Sequence, residues 1–310
     1  MGDCVLISAP SALVTSHPRA LLQARNLTVQ YSAEPQSHPA LYQINLDIQQ
    51  GEVVGILGES GCGKTTLALS ILGLLPANAR AEGSIFFQGE DLLRNDEAHW
   101  NTIRGAKISM IFQEPELCLS PVMRVGDQIT EVLRAHGHGG RDQRKRECRA
   151  LLASLRFLDV NRVCNAYPCQ LSGGELHRVA IAQALACRPD LVIADETTRS
   201  LDVSIQADIL NVLRGIKQKN GTAFIFITHN PALLVGFADR VIAIGAGRIV
   251  EQGSLASLLR SPNPYIRGLL GLSHRQRDPH PRPHLKDLQE SSTDLHEMVF
   301  DAELNGCNYE

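Results

Sequence analysis

The run Gly58-Glu59-Ser60-Gly61-Cys62-Gly63-Lys64-Thr65-Thr66 holds the most legible chemistry in this chain. Its spacing fits G-x-x-x-x-G-K-[ST], a pattern in which each residue type has a physical job. Glycines let the backbone curl so that successive N–H groups point at phosphate oxygens. Lys64 adds a mobile positive charge for the β- and γ-phosphates, and the Thr65 hydroxyl is suited to bind Mg²⁺. Chance matches to the bare pattern occur, so context decides. Here an apolar run, Val53-Val54-Gly55-Ile56-Leu57, precedes the loop, and a helix-patterned stretch, Leu67 to Leu75, follows it. The positive end of that helix's dipole then meets the same phosphates. These residues imply binding of a nucleoside triphosphate.

Two further constellations belong with the loop. Leu191-Val192-Ile193-Ala194-Asp195-Glu196 is a buried-strand run delivering two carboxylates at its end. Beside a phosphate-binding loop, Asp195 suits the Mg²⁺ shell and Glu196 suits polarising a water in line with the γ-phosphate. Leu171-Ser172-Gly173-Gly174-Glu175 opens a second helix, with Leu176, Val179, Ala180, Ala184 and Cys187 along one side. Its glycines expose backbone N–H groups and Ser172 supplies a hydroxyl, so it reads either as a plain N-cap or as an anion-binding helix start.

The elements that must position these groups alternate along the chain. From Leu21 a β-rich section is expected, with strands over 27–31, 41–48 and 53–57 and another over 83–87. From about 114 the pattern turns helical, with Leu151, Leu152 and Leu155 among charges, which predicts an inserted helical subdomain over about 114–188. The basic run Arg141 to Arg149 within it reads as a solvated face. A helix from Glu175 to Cys187 stops ahead of Arg188-Pro189. Ile205, Ile209, Val212, Leu213 and Ile216 mark a helix after the acidic strand, 224–227 another buried strand, and 241–253 a strand pair turning at Gly245-Ala246-Gly247. Such alternation predicts an α/β layer with a parallel sheet behind the β-rich start, its ligand at the carboxyl ends of the strands.

Composition narrows the class. The 310 residues carry 30 basic and 33 acidic side chains, so no global field draws the chain to nucleic acid. No apolar run approaches the roughly 20 residues needed to span a bilayer, and Met1 to Val14 lacks the basic start of a signal peptide. The expectation is a cytosolic chain. The 8 cysteines are scattered, Cys164 and Cys169 being the only close pair, which favours free, reduced thiols. Residues 1–19 read as a loosely ordered extension, 20–272 as the nucleotide-binding unit, and 273–310 as a polar tail of disordered composition.

The order of these pieces carries a resemblance. The loop at 58–66, Leu171 to Glu175, the acidic strand, and Gln113 and His229 at the ends of apolar segments together resemble the nucleotide-binding subunit of an ATP-binding cassette transporter, over roughly residues 21 to 272. The resemblance implies that Tyr31 stacks on adenine and that Gln113 touches Mg²⁺ and the attacking water while reporting to a transmembrane partner. It implies that His229 contacts the γ-phosphate, that Asp202 lies at a dimer seam, and that Ser172, Gly173 and Gly174 close in trans over ATP held by a second subunit. The implied fold is an α/β phosphate-loop NTPase cassette with a mainly parallel core sheet, an N-terminal antiparallel β subdomain and an inserted helical subdomain, and ATP and Mg²⁺ are the implied cofactors. Two permease subunits, a second F-type ATPase subunit or another copy of this chain, and indirectly a solute-binding protein are the implied partners, at the cytoplasmic face of a membrane.

Finer matching is possible. MIFQEP at 110–115, SPVMRVGDQI at 120–129, ADETTRSLDVSIQADIL at 194–210 and SPNPYIRGLL at 261–270 resemble the oligopeptide, dipeptide and nickel importer branch, and EGSIFFQGEDLL favours its D-type ATPase. Two departures stand out. Thr197 occupies the place where the branch usually has proline, which predicts an altered loop stiffness with activity retained. The tail from His274 to Glu310 holds only Cys307, so the cysteine-rich segment and iron–sulfur cluster of some branch members are not carried over. The function implied is ATP hydrolysis driving an importer of peptides or nickel. A soluble non-transport cassette ATPase and a regulatory subunit with little hydrolysis are the alternatives.

Overall fold

Three apolar runs, Val53–Leu57, Leu191–Asp195 and Ala223–Ile227, are buried at every position. Strands of that kind have water on neither face, the usual condition of a parallel sheet covered on both sides. The structure is a computed structural model that describes residues 20–31, 38–197 and 202–272. The extension 1–19, the tail 273–310, and Thr198 to Leu201 before Asp202 lie outside the described residues.

In chain order, β1 (Leu22–Tyr31) and β2 (Leu41–Ile48) lead to β3 (Val53–Leu57) and α1 (Lys64–Ile71). Next come β4 (Ala79–Phe87), β5 (Glu90–Asp91), α2 (Glu97–Ile103) and β6 (Ile108–Ile111). Five helices follow: α3 (Pro115–Cys118), α4 (Val125–Ala135), α5 (Arg141–Ser154), α6 (Val160–Asn165) and α7 (Gly173–Leu185). The chain then runs through β7 (Leu191–Asp195), α8 (Val203–Asn220), β8 (Ala223–Ile227), β9 (Arg240–Gly245), β10 (Arg248–Gly253), α9 (Leu255–Leu259) and α10 (Pro264–Leu269).

Two sheets result. One has four strands in the order β2-β1-β4-β5, all antiparallel; the other has six in the order β10-β9-β3-β8-β7-β6. Within the second, only the β9–β10 pair is antiparallel. Alternation along the strands divides the interior. Val53, Leu57, Val192, Ala194, Phe224 and Phe226 face a core shared with α4–α8, whereas Val54, Ile56, Leu191, Ile193 and Ile225 face one shared with α1 and the smaller sheet. Phe237 closes the first core edge-on against Phe226, at 5.4 Å between ring centroids. Among the described residues no helix is long and apolar enough to cross a membrane.

The expected strands and helices are found, with shifted ends. β1 and β4 begin earlier than their most apolar residues because they pair with each other over their whole length, Leu22 with Phe87 and Tyr31 with Ala79. The helix α1 begins at Lys64, since Gly63 at φ 108° turns the chain directly into it. Similarly, α7 starts at Gly173 and stops at Leu185, before Arg188 at φ 53° and Pro189. Cys187 therefore lies in the turn after the helix, not on its face. The basic stretch of α5 is largely exposed, and Ile209, Val212 and Leu213 of α8 are buried as their spacing requires. The described cysteines, at 62, 118, 148, 164, 169 and 187, are free thiols.

Gly55 shows how tightly β3 is enclosed. A Cβ there would fall 2.7 Å from Leu234 Cδ1, inside van der Waals contact. Gly55→Ala is expected to lower folding stability by about 1–3 kcal/mol, the usual range for overpacking a core. Urea denaturation of both proteins measures this, and an unchanged midpoint would mean that Leu234 yields freely.

Candidate nucleotide site

The loop that follows β3 is shaped by steric fit. Gly61 and Gly63 sit at φ 80° and 108°, in the left-handed region that side chains disfavour. A Cβ on Gly58 would fall 2.4 Å from the carbonyl oxygen of Ile244, and one on Gly63 would fall 2.5 Å from that of Ala40. The loop is thus wedged between the end of β9 and the chain entering β2. The turn from β9 to β10 completes the clamp: Gly247 N–H donates to the Cys62 carbonyl at 3.0 Å, while its own carbonyl accepts from Tyr42 N–H at 2.8 Å. Behind the turn, Tyr265 of α10 donates its hydroxyl to Ile244 O at 2.8 Å.

Inside the loop the buried Lys64 ammonium donates to the carbonyls of Gly58 and Glu59, each at 2.8 Å. Its neighbour Thr65 donates from Oγ1 to Asp195 Oδ2 at 2.9 Å. That bond joins the first turn of α1 to the end of β7, with β8 between their parent strands. Glu196 then leaves the sheet at φ 46°, its N–H held by Ile227 O at 3.0 Å. Its Oε2 lies 3.7 Å from Nδ1 of the half-exposed His229. Thr197 is buried with its hydroxyl oxygen unpaired.

Gln113 follows β6 at this same end of the sheet, two residues beyond the pairing of Ile111 with Ala194, and its side chain is exposed. Tyr31 ends β1 with its hydroxyl 3.2 Å from Thr66 Oγ1, so its ring stands beside the start of α1. Glu59, Ser60 and Gly61 line the exposed rim of the loop. The five sequence groups of the phosphate loop, the acidic pair, Gln113, His229 and Tyr31 are therefore brought to one end of the six-stranded sheet.

The start of α7 is built separately. Ser172 accepts from Glu175 N–H at 3.4 Å and Glu175 Oε2 accepts from Ser172 N–H at 3.0 Å, a reciprocal capping box. Arg162 of α6 pairs with the other oxygen of Glu175. Leu171 is buried, while Ser172 and Gly173 are exposed and Gly174 packs on Ile205. Asp202 occupies the N-cap position of α8, exposed and without a side-chain capping bond. Three supports were not read from the sequence: Arg162, Gly247 and Tyr265. Each acts through a contact distant along the chain, and no local pattern announces it.

Thr65 and Asp195 offer a hydroxyl and a carboxylate oxygen, hard donors suited to Mg²⁺, which takes few protein ligands and completes its shell with water and phosphate. Among the described residues no three His, Cys, Asp or Glu side chains cluster as a self-sufficient metal cage. Burial is the main cause that raises the Asp195 carboxyl above its ordinary range; the Thr65 bond and Lys64 pull it back, and the Glu196 charge pushes it further up.

This shift carries a sign. A carboxyl raised in the fold holds its proton more tightly there than in the unfolded chain, so stability falls as pH rises from its ordinary to its folded value. Asp195→Asn removes that penalty. In metal-free buffer the variant should melt at a higher temperature than the wild type under mildly alkaline conditions. The gap should close as the pH is lowered toward the ordinary carboxylate range. A gap independent of pH would assign the strain to packing.

The comparisons with known proteins agree with this geometry. The model of the family described as ABC transporter matches residues 41–199. The "probable peptide ABC transporter ATP-binding protein" of Sinorhizobium fredii is 44% identical over 260 residues, covering 82% of this chain and 78% of that protein. The dipeptide transport ATP-binding protein of Escherichia coli is 41% identical, covering 81% and 77%. The oligopeptide transport ATP-binding protein of the same organism is 39% identical, covering 86% and 79%. Among solved structures, a dimeric bacterial ABC transporter cassette superposes with a TM-score of 0.68 at 28% identity, covering 76% of this chain and 98% of that one. The same cassette in a post-hydrolysis state with ADP and phosphate matches equally well. With its nucleotide loop, helix start and acidic strand in this order, the chain belongs to the ATP-binding subunits of the ABC transporter family, in their oligopeptide and dipeptide branch.

Proposed function

We propose that this chain hydrolyses ATP as one of two cassettes that power a membrane importer of peptides. The hydrogen bond from Thr65 to Asp195 carries the reading, because it joins a phosphate-holding loop to a buried carboxylate at the distance a shared cation requires. When bound there, Mg²⁺ would supply charge neutralisation at the β- and γ-phosphates.

The chain's own residues do the rest. Lys64 exchanges its carbonyl partners on Gly58 and Glu59 for phosphate oxygens, which are stronger acceptors. Gly58 to Thr66 cradle the phosphates and Tyr31 stacks on adenine. Glu196 takes the position to polarise the attacking water, His229 holds it and meets the γ-phosphate, and Gln113 links the water and Mg²⁺ to the permease. Ser172, Gly173 and Gly174, presented on the exposed start of α7, complete the site of the opposing cassette, with Asp202 at the seam. That cassette is a second copy or a distinct F-type subunit, and the assembly works on two permeases at the cytoplasmic face with a solute-binding protein outside. ATP then favours the closed pair and hydrolysis releases it, a population shift set by differential affinity. The intact pair Asp195 and Glu196 supports this reading over a subunit that only binds ATP.

Glu196→Gln is expected to keep ATP affinity while turnover falls by about 10²–10⁴-fold, the usual effect of losing a positioned base. Lys64→Ala should weaken both affinity and turnover, since its charge meets phosphate in the ground and transition states alike. Equilibrium binding and steady-state hydrolysis on the same preparations separate the two. A Glu196→Gln protein that kept a tenth of its rate would remove the glutamate from this role.

Mixing tests the trans arrangement. With Ser172→Arg in this chain, the ATP site of the opposing cassette should lose its turnover while this chain's own loop still binds ATP. Peptide uptake into proteoliposomes carrying the assembled transporter tests the cargo.

A further inference from the structure

The imidazole of His177, one turn into α7, is not among the groups that meet ATP. It is buried, 6% exposed, and its Nδ1 lies 2.9 Å from the carbonyl oxygen of Gly173. A carbonyl can only accept, so Nδ1 carries the proton and donates it. Residues four apart on a helix lie one above the other and their side chains lean toward the N-terminus, which is how the ring reaches back to that carbonyl. The opposite ring nitrogen, Nε2, is buried with no hydrogen-bond partner among the described residues. A buried polar atom left unpaired gives up its hydration without return. An apolar side chain of similar size would avoid that loss. Packing alone therefore does not account for a histidine here, whereas the bond to Gly173 does.

Gly173 C=O and Gly174 N–H belong to one peptide unit, at the exposed start of α7. The first four N–H groups of a helix have no acceptor within it. The capping box takes two of them, Ser172 N–H onto Glu175 Oε2 at 3.0 Å and Glu175 N–H onto Ser172 Oγ at 3.4 Å. Those of Gly173 and Gly174 have no acceptor among the described residues and stay open for a ligand. Gly174 itself is braced against α8, where a Cβ would fall 3.2 Å from Ile205 Cδ1. The capping box and Arg162 hold Ser172 and Glu175; His177 is the side chain that holds the Gly173 carbonyl. A bond accepted at a carbonyl polarises the amide, so the N–H of the same peptide becomes a stronger donor.

We propose that His177 is a positioning residue for the trans-acting helix start: by donating to Gly173 O it orients and polarises the 173–174 peptide, and Gly174 N–H then meets a phosphate oxygen of ATP on the opposing cassette. This rests on the reading that Ser172, Gly173 and Gly174 act in trans, and extends it to a side chain buried beneath them. The effect belongs to the Nδ1 edge of the ring, since Nε2 has no partner. Asparagine can place an amide N–H near the position of Nδ1. Leucine has nearly the shape of asparagine and no donor. The two replacements therefore differ in the one bond at issue.

The experiment pairs the full chain with its opposing cassette and follows their association by sedimentation, with a non-hydrolysable ATP analogue and Mg²⁺. His177→Leu should melt no lower than the wild type, because it removes an orphaned polar atom. The isolated variant should bind the analogue with unchanged affinity, yet pair about 3- to 10-fold more weakly for each altered site, the usual worth of one hydrogen bond. His177→Asn should recover most of that loss. A purely structural role would lower melting temperature and pairing together and would not tell asparagine from leucine. If His177→Leu folds poorly, His177→Met serves as the apolar variant. Ser172→Arg in the same assay separates two failures. If it weakens pairing while the apolar variant pairs like the wild type, or asparagine pairs no better than leucine, the role of His177 is overturned alone. If Ser172→Arg also pairs like the wild type, the trans reading falls and takes this proposal with it.

Discussion

A loop that binds phosphate through backbone N–H groups must keep those groups for its ligand, so it has few hydrogen bonds of its own to hold its shape. The structure meets this constraint by holding the loop through its carbonyls and its bare glycine carbons. Cys62 O takes a bond from Gly247, Gly58 fits against Ile244 and Gly63 against Ala40. Lys64 spans the carbonyls of Gly58 and Glu59. Both sheets and the β9–β10 turn therefore serve one short segment, and the preorganisation of the site is a property of the whole cassette.

The acidic side of the site follows from the same layering. A strand buried along all its residues can present a carboxylate only at its end, where Asp195 still loses much of its hydration and leans on Thr65 for compensation. Glu196 escapes the layer by adopting a positive φ that a glutamate rarely takes, secured by its bond to Ile227 O. Strain of this kind persists where the surroundings over-determine it, and it aims the second carboxylate toward His229 instead of back into the sheet.

Much of this was legible in the chain because its signals are local. The glycine spacing at 58–63, the apolar runs of β3, β7 and β8, and the capping pattern from Ser172 to Glu175 each lie within a few residues. Strand ends were harder to read: β1 and β4 extend past their apolar residues since pairing with each other, not side-chain character, sets their length. The Arg162–Glu175 pair, the Gly247 bond to Cys62 and the Tyr265 bond to Ile244 carry no periodic or compositional mark. Tertiary proximity alone creates them.

The strand order has a consequence for biosynthesis. β3, which bears the phosphate loop, is bordered by β8 and β9 alone, and both lie in the last third of the chain. At ribosomal rates of about 5–20 residues per second, β9 (Arg240–Gly245) emerges roughly 10–40 s after β3 (Val53–Leu57). Until β8 emerges the nascent chain carries an apolar strand with two open edges, and until β9 follows with one, a template for pairing with other chains. A translational pause between Leu57 and Ala223 prolongs the exposure, and one after Gly245 does not. Synonymous codon changes, silent in the folded cassette, thus acquire a position-dependent effect on its yield.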